Sequence, residues 1–471
     1  MSNTLYELMK AGGLPPLSYY FARFIAKSSK VNENSMLAQS AALVSVRNLQ
    51  GDVCVDLGQF AGKPLFDESS DGAIAVPCGP EMENGEKRDV VLRGPFIEEW
   101  LETLNGACLV GKPPNAQAPQ ILPLILENRR LYLGKFWQFE KDVADALRSR
   151  RVPIVGLNQP LLTHGLGRLF PSVTSAVDWQ KVAAAIAVSR RFAVISGGPG
   201  TGKTTTIVKV LALLLEQDPN LRIALAAPTG KAAARLTIAI RSGKGEIKAK
   251  AQVKEQVLSK IPEEASTIHR LLGMGFDNRS RYNSDNPLLI DCLVVDEASM
   301  IDLTLMARLL AELPENTRIL LLGDRDQLPS VEAGNVFGDI TGLGRKICYT
   351  QGQVNFLELV GAAPKGELKP STAQPPRIED AVGLLLTNYR FGPSSGIGAL
   401  SDCVKGGCVS ECNLFAEFDD LAWLEAPSED RLHTECISWA VERYACYLRR
   451  GDIAEALRSF EQFGYPLNPR Q

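Results

Sequence analysis

The stretch Arg191–Gln217, RFAVISGGPGTGKTTTIVKVLALLLEQ, decides the fold. RFAVIS is a short aliphatic run of the kind that forms a buried strand, and TTTIVKVLALLLEQ is a helix-forming segment. Between them Gly197, Gly198, Pro199, Gly200, Thr201, Gly202, Lys203 and Thr204 fit the pattern G-x-x-x-x-G-K-[ST]. Glycines let backbone amides curl around an anion with no Cβ in the way, and the helix that follows adds its positive N-terminal end. In this reading Lys203 reaches the β- and γ-phosphates of a nucleotide and Thr204 ligates Mg2+.

A phosphate loop needs an acidic metal partner at the end of another buried strand. Leu289–Glu297, LIDCLVVDE, supplies it: Asp296 is expected to hold Mg2+ through a water, and Glu297 to orient and deprotonate the attacking water. From about 156 to 345 short aliphatic runs (RFAVIS, RIALAAP, LIDCLVVDEAS, TRILLLGD) alternate with longer amphipathic segments. That alternation predicts an α/β domain with a parallel sheet and helices on both faces, binding ligands at the carboxyl ends of its strands. Further segments fall where such a site requires them. Asp324 and Gln327 lie just beyond an apolar strand, as a γ-phosphate sensor would, and Thr229, Lys231 and Arg235 are available for a phosphodiester backbone. TNYRFG offers Arg390 as an expected second-domain contact to the nucleotide phosphates.

The ordered set GGPGTGKT (197–204), APTGKAAARL (227–236), STIHRLLG (266–273), VVDEASMIDL (294–303), GDRDQLPSVEAG (323–334) and NYRFGPSSGIGAL (388–400) resembles superfamily 1 helicases, and among them the RecD family, alpha subunits of exodeoxyribonuclease V. The phrase RRLYLGKFWQFE (129–140) resembles that family too. The resemblance implies a RecA-like phosphate-loop ATPase that uses ATP and Mg2+ to move 5′ to 3′ on single-stranded DNA. It would act on double-stranded DNA ends with RecB-like and RecC-like subunits in a heterotrimer for break repair and recombination. It assigns Gln180 to the adenine base. Gly200, Gly202, Lys203, Thr204 and Thr205 fall to phosphates and metal, Asp296 and Glu297 to the metal and general-base roles, Gln327 to γ-phosphate coupling, and Arg390 to the transferred charge. Any nuclease activity would belong to the RecB-like partner.

Later family motifs, one like H-K-x-Q-G and a T-R-A-type arginine finger, do not precede the final NPRQ. The expectation is therefore ATP binding with little DNA-stimulated hydrolysis by this chain alone. Two alternatives stay open: a stand-alone RecD-like helicase, disfavoured by the absence of helix-hairpin-helix repeats before residue 155, and a non-motor ATP-binding fragment that docks on RecB- and RecC-like partners.

Around this centre the reading assigns 1–155 to a mainly helical N-terminal partner-binding domain and 156–348 to the first RecA-like domain. A loop or linker is expected over 349–377, and the start of a second, incomplete RecA-like domain over 378–471. The 471 residues, 45% apolar and 22% charged with a net charge of -3, describe a globular chain without the bulk basicity that concentrates proteins on DNA. No apolar run suggests a membrane span and no export signal opens the chain, so a cytoplasmic location with no membrane partner is expected. Tyr132, Phe136, Trp137 and Phe139 have the spacing of a core-packed helix face more than of a base-stacking platform. Cys403, Cys408 and Cys412 cluster loosely without a C-x-x-C pair, which favours reduced thiols over a metal centre. The basic segment 241–260 is expected to be a solvated helix more than a DNA contact. His269 is placed near a DNA groove by the resemblance alone, and His164 and His433 are read as structural or surface residues.

Overall fold

A computed structural model describes residues 4–448 apart from 70–71, 74–75, 82–86, 114–120, 172–175, 251–252, 276–279, 284–285, 329, 343–346, 372–377, 393–394, 408–413, 422 and 424–428. Side chains over 67–90 and at a few helical positions also lie outside the description. Cys408 and Cys412 therefore fall outside it, and among the described residues no group of His, Cys, Asp and Glu is placed to hold a metal by itself. No described helix is long and apolar enough to cross a membrane.

Six parallel strands form the central sheet, in the spatial order 265–267, 223–227, 292–295, 318–323, 192–197, 382–385. Apart from the half-exposed edge strand Ala265–Thr267, the strands are largely apolar on both faces because helices cover both sides. Alternate residues divide between two cores. Ala193, Ile195, Val294, Leu320 and Leu322 join one cluster with the helices Trp179–Ser189 and Lys203–Gln217. Phe192, Val194, Leu293, Val295, Ile319 and Leu321 join the other with Leu303–Ala311. Fully burying such a side chain is worth about 1.5–3 kcal/mol, so the sheet carries most of this region's stability.

The N-terminal region packs the helices Thr4–Lys10, Pro16–Ser28 and Met36–Leu49 around a separate core. To them it adds a four-stranded sheet ordered 54–56, 130–133, 124–127, 110–111, in which only the last pair is parallel. Trp100 sits at 1% exposure in this core, and its indole N–H donates to the Ser40 hydroxyl at 2.7 Å. Tyr132 lies on the strand 130–133, not on a helix, and is buried with Trp137 in one small cluster, while Phe136 and Phe139 are half-buried against the second sheet core; the aromatics pack as core but do not form the single helix face expected.

Three boundaries differ from the sequence expectation. The helix Gly134–Arg150 lies within the expected N-terminal domain, yet it buries Val143 and Leu147 in the sheet core, and Arg150 donates to the carbonyls of Leu313 at 3.2 Å and Pro314 at 2.9 Å. The expected linker at 349–377 contains a helix, Gln351–Leu359, capped by the Thr350 hydroxyl and burying Val354 and Leu357. Ahead of it Tyr349 is buried, its hydroxyl donating to the Val382 carbonyl at 2.9 Å. The strand Val382–Leu385 lies past the expected boundary at 378, but it pairs with 194–197 as the sixth strand of the same sheet. Each shift has one cause: apolar side chains too few to mark a domain locally find a core formed elsewhere in the chain.

Candidate nucleotide site

The site gathers at the carboxyl ends of the strands 192–197, 292–295, 318–323 and 382–385. Gly200 and Gly202 both adopt φ of +81°, the left-handed region where a Cβ is strained. A Cβ on Gly200 would also stand 2.4 Å from that of Arg390. Neighbouring helices start on side-chain caps: Asp178 accepts the amides of Gln180 and Lys181 at 3.0 and 3.2 Å, and Asp302 accepts that of Leu305 at 2.9 Å. The helix Lys203–Gln217 starts on Gly202 with no side-chain cap. Its first N–H groups and dipole end are thus presented to an external anion.

Lys203 folds over the loop, its ammonium donating to the carbonyls of Gly197 and, at 3.3 Å, Gly198. Thr201 is buried and donates to the Gly198 carbonyl at 2.8 Å, which closes the loop's interior turn. Thr204 is half-buried and Thr205 exposed on the first helical turn, while Pro199 is exposed at the rim. Gln180 braces the loop from outside, donating from Nε2 to the Thr201 carbonyl at 3.0 Å.

Asp296 follows the buried strand Cys292–Val295 and receives the Glu297 N–H at 3.0 Å. Burial and the adjacent Glu297 carboxylate push its carboxyl up to about 6, against the pull of that N–H and of the Lys203 ammonium. Glu297 sits at φ 52°, a strained backbone for a non-glycine residue, and its Oε2 is buried with no hydrogen-bond partner. Such an orphaned acceptor, beside a glycine cradle and an uncapped helix start, fits a site built to face a metal–nucleotide and its water.

Asp324 is buried at the end of strand 318–323 and accepts the Asp326 N–H at 3.1 Å. The Arg325 N–H donates to Ser196 at 3.2 Å, pinning this turn beside the phosphate loop. Gln327 has an exposed side chain on the same turn. From the other side the Tyr389 N–H donates to the Gly200 carbonyl at 2.8 Å, and the Asn388 side chain accepts the Arg390 N–H at 2.9 Å. This brings the exposed Arg390 to the loop from about 190 residues away in sequence. A cleft of about 570 Å³ opens between the phosphate loop, Asp324–Asp326 and the helix Gly396–Gly406.

Every candidate nucleotide residue thus belongs to one edge of the sheet. Sequence reasoning missed Ser196, Asn388 and Tyr389, which fasten the flanking turns; only Asn388 and Tyr389 carried a signal, as part of the NYRF phrase. On the same edge Thr229, Lys231 and Arg235 are exposed around the start of the helix Gly230–Lys250, with the Thr229 hydroxyl accepting the Ala232 N–H at 3.2 Å. His269, His164 and His433 are exposed. The basic segment pairs internally: Lys244 with Glu263 at 2.5 Å, Lys248 with Glu255 at 3.0 Å, and Lys260 with the Pro219 carbonyl at 2.6 Å.

A parallel sheet with an uncapped phosphate loop and a half-buried acid pair defines a nucleotide-binding phosphate-loop ATPase, and the order of its motifs is that of a DNA helicase. The chain belongs to the RecD family, the RecD subunits of RecBCD enzymes. Residues 10–132 match the RecBCD subunit RecD N-terminal domain and residues 180–333 an AAA domain. The RecBCD enzyme subunit RecD of Haemophilus influenzae is 34% identical over 96% of this chain and 70% of its own length. That of Mycolicibacterium smegmatis is 33% identical over 92% of this chain and 65% of its own. The ATP-dependent RecD2 DNA helicase of Deinococcus radiodurans is 45% identical over 31% of this chain and 17% of its own. The chain spans about two thirds of the length of the RecD subunits it matches.

Proposed function

We propose that this chain carries the ATP-driven motor of a RecD-type subunit, moving 5′ to 3′ on single-stranded DNA within an assembly with RecB-like and RecC-like partners that opens double-stranded ends for repair and recombination. The observation that carries the reading is the convergence of Lys203, Asp296 and the unpartnered Glu297 Oε2 at one sheet edge, with Arg390 and Gln327 on the turns beside it. Phosphoryl transfer needs positioning and charge neutralisation more than covalent chemistry, and these residues supply both. Gly197, Gly198, Pro199, Gly200, Thr201 and Gly202 cradle the phosphates with backbone amides. Lys203 leaves the loop carbonyls for the β- and γ-phosphates, and Gln180 stands at the adenine end. Thr204 and Asp296 would hold Mg2+, which neutralises phosphate charge when bound. Glu297 orients the attacking water and takes its proton at Oε2. Gln327 senses the terminal phosphate and Arg390 balances the charge that develops on it.

DNA runs over Thr229, Lys231 and Arg235 in this proposal, as their exposure on the same edge supports. Residues 1–155 carry the partner surface: Leu17, Tyr20 and Phe24 form an exposed apolar stripe on the helix Pro16–Ser28, at 64%, 56% and 57% exposure. Two measurements test the reading. The chain alone is expected to bind ATP, and Lys203→Gln to lose that binding. Assembled with RecB-like and RecC-like subunits, the wild type is expected to drive 5′ to 3′ translocation that Lys203→Gln abolishes. ATP binding indifferent to Lys203, or failure of the chain to associate with either partner, overturns it.

A further inference from the structure

The helix Gly396–Gly406 forms the outer wall of the phosphate cleft and carries one cation, Lys405. Its start is anchored: Asp420 accepts the Gly396 N–H at 2.9 Å and the Ser395 hydroxyl at 3.0 Å. Its last turn lies at the loop, where the Lys405 ammonium stands 3.7 Å from the point that a Cβ on Gly198 would occupy. Lys203 reaches the same corner, bonded to the carbonyls of Gly197 and Gly198. Because Lys203 is the lysine that serves the β- and γ-phosphates, this corner is the terminal-phosphate end of the loop.

The present partner of Lys405 is Asp326, with N···O at 3.7 Å and side chains 42% and 35% exposed. That separation exceeds a hydrogen bond, and such exposed pairs contribute little. A terminal phosphate carries more charge than one carboxylate and offers several acceptor oxygens, so it outcompetes Asp326 for the ammonium. Asp402 lines the same cleft and keeps the wall from being uniformly cationic, which confines the attraction to the Lys405 end.

We propose that Lys405 is a binding residue for the terminal phosphate of a nucleoside triphosphate, and that it makes the site favour triphosphate over diphosphate. The contact breaks the Lys405–Asp326 pair and leaves Asp326 to Arg325, 3.7 Å away on the turn that also carries Gln327, so nucleotide state is felt at that turn. The inference rests on the nucleotide reading of the phosphate loop. Its test is equilibrium binding of fluorescent ADP and of a slowly hydrolysed ATP analogue to the full chain, for wild type, Lys405→Ala, Lys405→Arg and Lys203→Gln. Lys405→Ala is expected to weaken the triphosphate about fivefold, the size of a half-exposed charge contact, with ADP within about twofold. Lys405→Arg is expected to restore the preference, and matching thermal melts exclude misfolding. An unchanged ratio of triphosphate to diphosphate affinity in Lys405→Ala overturns the inference while loss of both nucleotides in Lys203→Gln leaves the loop reading standing. A wild type that binds neither nucleotide overturns both.

Discussion

The core around Trp100 and the nucleotide end of the central sheet treat their buried polar groups differently. Around Trp100 the buried polar groups are matched: the indole N–H meets Ser40, and the Ser18 hydroxyl meets Ser45 at 3.0 Å. At the nucleotide end of the sheet Glu297 leaves a buried carboxylate oxygen unmatched, and Asp296 beside it is a carboxyl whose ionisation is disfavoured. The two regions share one chain, so composition does not explain the contrast. Around a core that only has to pack, polar groups are best matched internally, whereas carboxylates that must meet a charged ligand can be left for that ligand.

The comparison breaks most readily at Trp100. Trp100→Ala is expected to cost about 4 kcal/mol of N-terminal stability in urea unfolding, because the surrounding side chains cannot fill the cavity and Ser40 loses its donor. ATP affinity should persist under conditions where the sheet region stays folded; a parallel loss would mean that the two regions are one cooperative unit. Lys203→Ala is expected to show the reverse. ATP turnover in the assembled complex should fall about a hundredfold or more, roughly 3 kcal/mol of barrier, with the melting temperature nearly unchanged.

Asp296→Asn sharpens the contrast further, for it should gain stability while abolishing turnover. A carboxyl raised from 3.8 to about 6 by folding stabilises the folded state below the unfolded value, and that contribution is lost as pH rises through about 6. At pH 7 the variant of the metal-free chain should therefore exceed the wild type by about 2–3 kcal/mol, with the difference narrowing toward pH 4. Equal stabilities across that range would show that Asp296 is not a strained group. The smallest effect is expected at an ordinary cap. Asn158 accepts the Leu161 N–H at 3.0 Å, and Asn158→Ala should cost about 1 kcal/mol in thermal unfolding without altering ATP affinity.

The phosphate loop, the acid pair and the alternation of strands with helices were legible because each is a local pattern with a local physical requirement. Gly200 and Gly202 must be glycine where φ reaches +81°, and Cys292–Val295 must be apolar where both sheet faces are covered. The helix Gln351–Leu359 was not legible: Gly352 and Asn355 weaken its propensity, and Val354 and Leu357 are too few to mark a periodic face. Nor was the sheet membership of Val382–Leu385, since a short aliphatic run does not name its partner strand. Lys405 carried no signal at all, because its meaning is a distance to Gly198 across two hundred residues of chain.

By itself the sequence determined the chemistry on offer: an anion cradle, a lysine, an acid pair and an ordered series of motifs that belong to one family of motors. Only the tertiary structure decided where the sheet ends, that Gly134–Arg150 packs on the motor core, and that Asn388, Arg390 and Lys405 meet a loop far from them in sequence. The reason is that backbone demands are met within a few residues and leave a local trace, whereas burial and charge pairing are settled by whichever surfaces the folded chain brings within a few ångströms.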